Sequence, residues 1–393
     1  MCDIVSENFP ETLFFNVHPD NAGSVTTEEP NWIIPSLLYP AMLLGRDIHI
    51  EADVSPYLLD NARNDLMHLT RNYHPCAHAI AIDAGASSTP PEVSASRDIV
   101  TGFSSGVDSF ATLLKYLSPE VSPTNRLTAV AIYQVGALAG AKDLSIIEKA
   151  RSRIEPIAAE LGLRIYSLSS NMEELYTEVL RRKLLGVSRF AKSVSFRNAA
   201  AAMVFQKSVS LYLASGNVSY RHATYGPSMT SSSLDAVLQP LFSTEIQRFQ
   251  CGVAGLGRRE KLEYIAGHPT VQKHLDVCVI PVPKRYGSNR FRNCGACEKC
   301  ISTLVTLEAL GHLDKFGESF DLKAYAADRH KIYRQYRRIV VRSNAPNRRE
   351  DYGLNRAAGI DLPPLLTPAL LYLEGLPRRA ARRAARILRP AGG

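Results

Sequence analysis

The stretch RDIVTGFSSGVDSFATLLKYL, from Arg97 to Leu117, decides the fold. Ile99, Val100 and Phe103 form a compact apolar run that fits a buried parallel strand. Phe110, Leu113, Leu114 and Leu117 recur at helical spacing, so a helix begins just after the turn Ser104-Ser105-Gly106-Val107-Asp108-Ser109. A strand that turns sharply into a helix leaves unpaired N–H groups at the helix start. Those groups and the positive end of the helix dipole favour an anion. Gly106 lets the backbone approach a phosphate closely, and Ser104 and Ser109 could add hydroxyl donors. Asp108 could hold Mg2+ through water, or fix the turn itself.

Working outward, strands and helices alternate from Arg97 onward, which argues a doubly wound parallel sheet. The second strand reads as Leu127 to Gln134. A helix from Leu144 stops at Gly162, and Leu163 to Leu168 is the third strand. Ser170, Asn171 and Glu173 read as the cap of the next helix. Tyr133 and Gln134 end the second strand, where an adenine could lie in such a sheet. Phe196-Arg197-Asn198 opens an alanine-rich helix, followed by a strand from Leu211 to Ser215 and another from Glu245 to Cys251. Arg258 and Lys261, one turn apart, could contact phosphate or a carboxylate, or form a solvated helix face.

The second strong motif is Cys294-Gly-Ala-Cys297-Glu-Lys-Cys300, two Cys-x-x-Cys steps sharing their middle cysteine. Tight turns bring three thiolates within reach of one tetrahedral Zn2+. Cys278 is the best fourth ligand, because Val277 to Val282 reads as a strand returning the chain to the knuckle, and His274 is the alternative. An iron–sulfur cluster is the rival occupant, and a redox Cys-x-x-Cys pair the third reading.

The loop resembles the Ser-Gly-Gly-x-Asp-Ser signature of the PP-loop ATP pyrophosphatases, with Ser105 where that family has its first glycine. The loop, an Arg-Asn pair before a helix, and the ending Cys-Gly-x-Cys-x-x-Cys together resemble the QueC-like (cyano-deazaguanine synthase) branch. The resemblance covers roughly Arg97 to Gly311. It implies that residues Ser104 to Ser109 hold the pyrophosphate of ATP, that Arg197 neutralises phosphate charge, and that ATP, Mg2+ and a structural Zn2+ are the cofactors. It implies an enzyme that adenylates a carboxylate or amide oxygen of a small molecule, releasing pyrophosphate, after which a nitrogen donor displaces AMP. Sulfur transfer to a tRNA base, with Cys251 as the reactive thiol, is the second expectation. A nucleotide-binding partner subunit without turnover is the third.

The remaining sequence bounds this reading. In 393 residues, 45% are hydrophobic and 21% charged, as in ordinary globular proteins. No apolar run is long enough to span a bilayer, and no secretory leader is read. Seven cysteines, three of them crowded together, point to a cytoplasmic metal protein rather than a disulfide framework. Residues 1–95 read as a separate α+β unit, with strands over Leu13 to Val17, Ile48 to Ala52 and His78 to Ile82, and helices from Trp32 to Leu44 and from Ser55 to about Leu69. His74, Cys76 and His78 in that unit read as structural. Ala84 to Ser96 reads as a linker. A nucleotide-binding domain over 96–268, a knuckle region over 269–320 and a basic helical tail over 321–393 complete the expected division. The tail opens with a helix over Asp321 to Arg342, and Asn344 to Pro364 reads as a linker. From Asp321 onward 16 Lys/Arg face 6 Asp/Glu, so the net charge of +8 belongs to the tail. Six arginines between Arg378 and Arg389 could bind RNA or an acidic membrane surface.

Overall fold

The Arg97–Leu117 stretch forms the strand, turn and helix expected of it. In a computed structural model, residues 2–3, 12–26, 28–89, 92–136, 144–183, 189–228, 230–278, 291–343 and 345–365 are described. Two short strands, β1 (Cys2–Asp3) and β2 (Thr12–Leu13), pair with each other. They are followed by β3 (Phe15–Val17) and the helix α1 (Ile33–Leu44), which stops at Gly45 in the left-handed region with φ 64°. Strand β4 (Ile48–Val54) leads to α2 (Pro56–Asn61), whose cap is Ser55 accepting from the Leu58 N–H at 3.0 Å. A π-helical turn joins α2 to α3 (Met67–Tyr73). Strand β5 (Ile82–Ala86) pairs parallel with β4. The expected strand over His78 to Ile82 therefore lies later in the chain, and Ala84 to Ala86 belong to it rather than to a linker.

The central elements follow. They are β6 (Asp98–Gly102), α4 (Val107–Leu117), β7 (Ala129–Gln134), α5 (Leu144–Glu160), β8 (Arg164–Ser170) and α6 (Met172–Lys183). Then come α7 (Arg189–Met203), β9 (Val209–Ser215), α8 (Asp235–Leu238), β10 (Arg248–Gly252) and α9 (Arg258–Ala266). Every residue of β7 is buried, as a strand covered on both faces requires. The sheet order is β10-β9-β6-β7-β8-β3, parallel throughout except for β3, which pairs antiparallel with β8. The chain winds from β6 to β7 and β8, then returns to β9 on the other side of β6. The crevice beside β6 is thus a topological switch point, where ligands of open α/β sheets sit. At the opposite end, buried Asp98 accepts hydrogen bonds from Thr128 Oγ1 at 2.6 Å and Tyr166 OH at 2.7 Å and pairs with Arg164. Its charge is satisfied there, away from the carboxyl ends of the strands.

Three expectations are corrected. Residues 1–95 are not a separate unit, because β3 completes the central sheet and Met1–Lys261 form one compact body. Arg197 does not open a helix but lies inside α7, since residues from Arg189 already have helical geometry. The second body, Leu262–Gly393, contains α10 (Pro269–His274), α11 (Glu298–Ala309), α12 (Leu322–Ser343) and α13 (Pro346–Ala357). The presumed linker 344–364 therefore contains a helix. Pro346 in its first turn and buried Tyr352 and Asn355 account for it. Asn355 Nδ2 donates to Thr306 Oγ1 at 2.9 Å and to Tyr336 OH at 3.4 Å, which ties α13 to α11 and α12. The arginine-rich run from Arg378 to Arg389 lies outside the described residues. Among the described residues, no helix is long and apolar enough to cross a membrane.

Candidate functional site

The Phe103 N–H still bonds the Ala131 carbonyl at 2.9 Å, so the sheet ladder holds the chain up to the turn. Ser105 then takes φ 59°, in the left-handed region. A side chain there is strained, and such strain collects where a turn must present particular groups. Gly106 itself has φ −82° and caps α4. The position that needs glycine-like freedom is therefore Ser105, where the resembling family carries glycine. Ser109 fixes the turn. Its hydroxyl donates to the Gly106 carbonyl at 3.1 Å, and it accepts from the Ser104 N–H at 3.4 Å. Ser104 is exposed as a residue, and its Oγ lies 3.4 Å from Ser109 Oγ, beside a helix head rich in N–H groups. Val107 is buried and anchors the first turn of α4.

Asp108 carries the electrostatics. Arg258 Nη1 donates to its Oδ2 at 3.2 Å, and Lys261 Nζ donates to its Oδ1 at 3.1 Å. Lys261 is fully buried and also donates to the Gly216 carbonyl just past β9. The solvated-face reading of Arg258 and Lys261 is therefore replaced by contact with a carboxylate. The Asp108 carbonyl accepts from Thr112 Oγ1 at 3.0 Å, so the helix carrying the aspartate is braced as well. Close backbone approach sets the rim. A Cβ at Gly216 would lie 2.6 Å from the Gly252 carbonyl, and one at Gly252 would lie 2.7 Å from Thr112 Cγ2. With both Asp108 oxygens facing cations, the residues do not suit Mg2+, and the expected Mg2+ role of Asp108 gives way to its fixing of Arg258 and Lys261.

Cys251, at the end of β10, lies beside the same charges. Burial first, then Asp235, pushes its thiol up to about 12, against the opposing pull of Lys261. It stays protonated at neutral pH. Asp235 is itself buried and raised, chiefly by that burial, and it accepts from Ser195 Oγ at 2.6 Å and Gln239 Nε2 at 3.0 Å.

Two expected ligand residues stand elsewhere. Gln134 is buried at the end of β7, in register with Ser169 of β8. Arg197 is fully buried. It donates to Ser193 Oγ and the Val135 carbonyl, each at 2.8 Å, pairs with Glu173, and lies over the Tyr176 ring at 4.3 Å. None of those partners belongs to the loop, so the loop's charge partners are Arg258 and Lys261 instead. Nothing in the spacing of Arg197 foretold this, because its Glu173 partner sits on another helix. His74 is structural, as expected. Its Nδ1 bonds Tyr39 OH at 2.9 Å, and burial lowers its pKa to about 4, aided by Lys192.

In the second body, the sulfurs of Cys278, Cys294, Cys297 and Cys300 all lie within 4.8 Å of one another. Cys294 and Cys300 are 3.8 Å apart, and Cys297 and Cys278 are 4.0 Å apart. A tetrahedron of thiolates about 2.3 Å from zinc has edges of about 3.8 Å, so the four cysteines could hold a metal ion such as zinc. Cys278 thus joins the cluster, whereas His274 Nδ1 faces Arg292 Nη2 at 3.1 Å. Val277 and Cys278 are irregular rather than a strand, and residues 279–282 lie outside the described residues. The N–H groups of Ala296 and Cys297 point at Cys294 Sγ, at 3.4 and 3.3 Å, as a thiolate favours. Gly295, at φ 68°, allows that turn. A hydrogen bond with Cys297, burial and the other thiols raise Cys300 far above the ordinary range, a penalty that a bound cation reverses.

Sequence reasoning missed Asn293. Its Oδ1 accepts from the Val277 N–H at 2.8 Å, and its Nδ2 donates to the Leu275 and Ser319 carbonyls at 2.8 and 3.1 Å. It therefore holds the Cys278 segment against the knuckle, a supporting role that outer-shell residues of metal sites commonly play. Its place directly before Cys294 was the only available hint. Comparison with protein-family models, with curated proteins and with solved structures finds no match for this chain.

Proposed function

We propose that the chain is an ATP-dependent adenylating ligase of the PP-loop type, with a structural zinc knuckle. One observation carries the reading: at the switch point of the sheet, a strained loop and a helix head stand beside Asp108, Arg258 and buried Lys261. The helix-head N–H groups and the Ser104 hydroxyl would hold the outer phosphates of ATP. Arg258 and Lys261, fixed by Asp108, would offset charge developing on the leaving pyrophosphate. An acceptor carboxylate or amide oxygen attacks the α-phosphorus and pyrophosphate leaves. A nitrogen nucleophile then displaces AMP. No step is assigned to Mg2+. The four thiolates would hold zinc in a closed site, which supplies folding energy rather than catalysis.

The sulfur-transfer alternative needs a nucleophilic thiolate near the loop, and Cys251 is held protonated. Incubation of the protein with Mg-ATP and a panel of small carboxylic acids and amides, with ammonium as nitrogen donor, is expected to release pyrophosphate and AMP. Formation of ADP and phosphate alone would overturn the reading. Cys251→Ala is expected to keep pyrophosphate release at the parental rate, and its loss would favour sulfur transfer.

A further inference from the structure

The basic balance of the C-terminal region has a structural form that the proposed ligase chemistry does not use. Helix α12 carries seven Lys/Arg against one acidic residue, Asp328. Three of these cations are accounted for, and Lys323 stands apart near the helix start. Arg329 pairs with Glu308, Lys331 pairs with Asp328 at 3.2 Å, and Arg337 is buried with Nη1 3.5 Å from the Pro364 carbonyl. Arg334, Arg338 and Arg342 differ. All three are exposed, and among the described residues none has an acidic partner. They recur every fourth residue, so they share one face of the helix, with a rise of about 6 Å between neighbours.

We infer that this arginine stripe binds the phosphodiester backbone of a nucleic acid. A row of exposed guanidiniums at such spacing suits a linear polyanion, and each can fork onto a phosphate. A membrane surface fits less well. An interfacial helix must offer its apolar face to lipid, but Tyr325, Ile332, Tyr333, Tyr336, Val340 and Val341 of α12 are buried within the protein. No exposed aromatic residue accompanies the three arginines on the helix, so the contact is to backbone rather than to stacked bases. Binding is therefore sequence-independent and steeply salt-dependent. It stands apart from the ligase reading and does not require turnover.

The test uses the full chain and fluorescence anisotropy with a labelled RNA duplex and a DNA duplex of the same sequence, from 50 to 200 mM salt. Three variants are compared: R334Q/R338Q/R342Q, the charge-keeping R334K/R338K/R342K, and R71Q/K115Q/K149Q, which removes equal charge at exposed sites elsewhere. The glutamine variant at the stripe is expected to bind at least about tenfold more weakly, with a salt slope flatter by about 2 to 3. The lysine variant and the distant control are expected to keep most of the affinity. Circular dichroism checks that each variant is folded. A preference for one duplex identifies the polymer. Equal binding by the stripe variant and the parent overturns the inference, as does an equal loss in the distant control. Tighter, stripe-dependent binding to polyglutamate or to phosphatidylserine vesicles than to either duplex overturns it in favour of an acidic protein or a membrane.

Discussion

The loop site and the cysteine knuckle are built on opposite principles. The knuckle draws three of its four donors from seven consecutive residues, Cys294 to Cys300. The loop site joins Asp108 to Lys261, 153 residues further along the chain. The knuckle gathers like groups that repel when ionised and need a cation. The loop site gathers one carboxylate and two cations, which pair and leave one positive charge in excess. A cluster of identical donors therefore announces a ligand more plainly than a cluster of paired opposite charges does. Such a paired cluster can equally be structural, and its meaning rests on where in the sheet it sits.

That contrast breaks first at the metal. Cys297→Ser should abolish stoichiometric metal binding and cost on the order of 5 kcal/mol or more of the stability of Leu262–Gly393, because structural zinc sites supply folding energy outright. Metal analysis and thermal melting, with and without a chelator, check this. A variant that melts like the parent and does not respond to chelation would make the knuckle a set of ordinary thiols.

Next in size is Lys261→Met. Removing one partner of a buried ion pair is destabilising, and here it should cost up to about 3 kcal/mol, limited because Asp108 is partly exposed and keeps Arg258. If the loop site acts on ATP, pyrophosphate release should fall about 100-fold as well. The double variant Asp108→Asn with Lys261→Met should recover part of the stability but none of the activity. Recovery of both would reduce the cluster to a structural brace.

The smallest effect tests the strained turn. Ser105→Gly removes a left-handed side chain, so the urea midpoint should rise slightly, by up to about 1 kcal/mol of stability, offset by the greater freedom of glycine when unfolded. A clear loss of stability would mean that the Ser105 side chain, itself buried, makes a contribution of its own.

Much of the framework was legible because it depends on neighbours in sequence. Ser55-Pro56 announced a helix start, Gly45 and Gly162 announced stops, and the apolar run at Ile99, Val100 and Phe103 announced buried β6. Cys294, Cys297 and Cys300 announced, through spacing alone, a cluster that could hold a metal ion. The failures share a cause. Arg197 looked like a helix-opening phosphate ligand, but Glu173 and Val135 claim it from other elements. Arg258 and Lys261 read more readily as a solvated face, because nothing near them in sequence reveals Asp108. The segment 344–364 looked like a linker because its helix is stabilised by packing more than by composition. Asn355 reaches Thr306 across 49 positions.

By itself, then, the sequence determined the strand–turn–helix from Arg97 to Leu117, most of the sheet strands that follow it, where the anion-favouring turn falls, and which thiols crowd together. Those properties come from periodicity, capping and turn chemistry, all of which act over a few residues. Only the tertiary structure decided that β3 closes the sheet, that Cys278 rather than His274 faces the knuckle sulfurs, and that Lys261 is buried against Asp108. Each depends on pairing between distant residues. Such pairing is selected by burial and charge compensation in three dimensions, which leave no fixed interval along the chain.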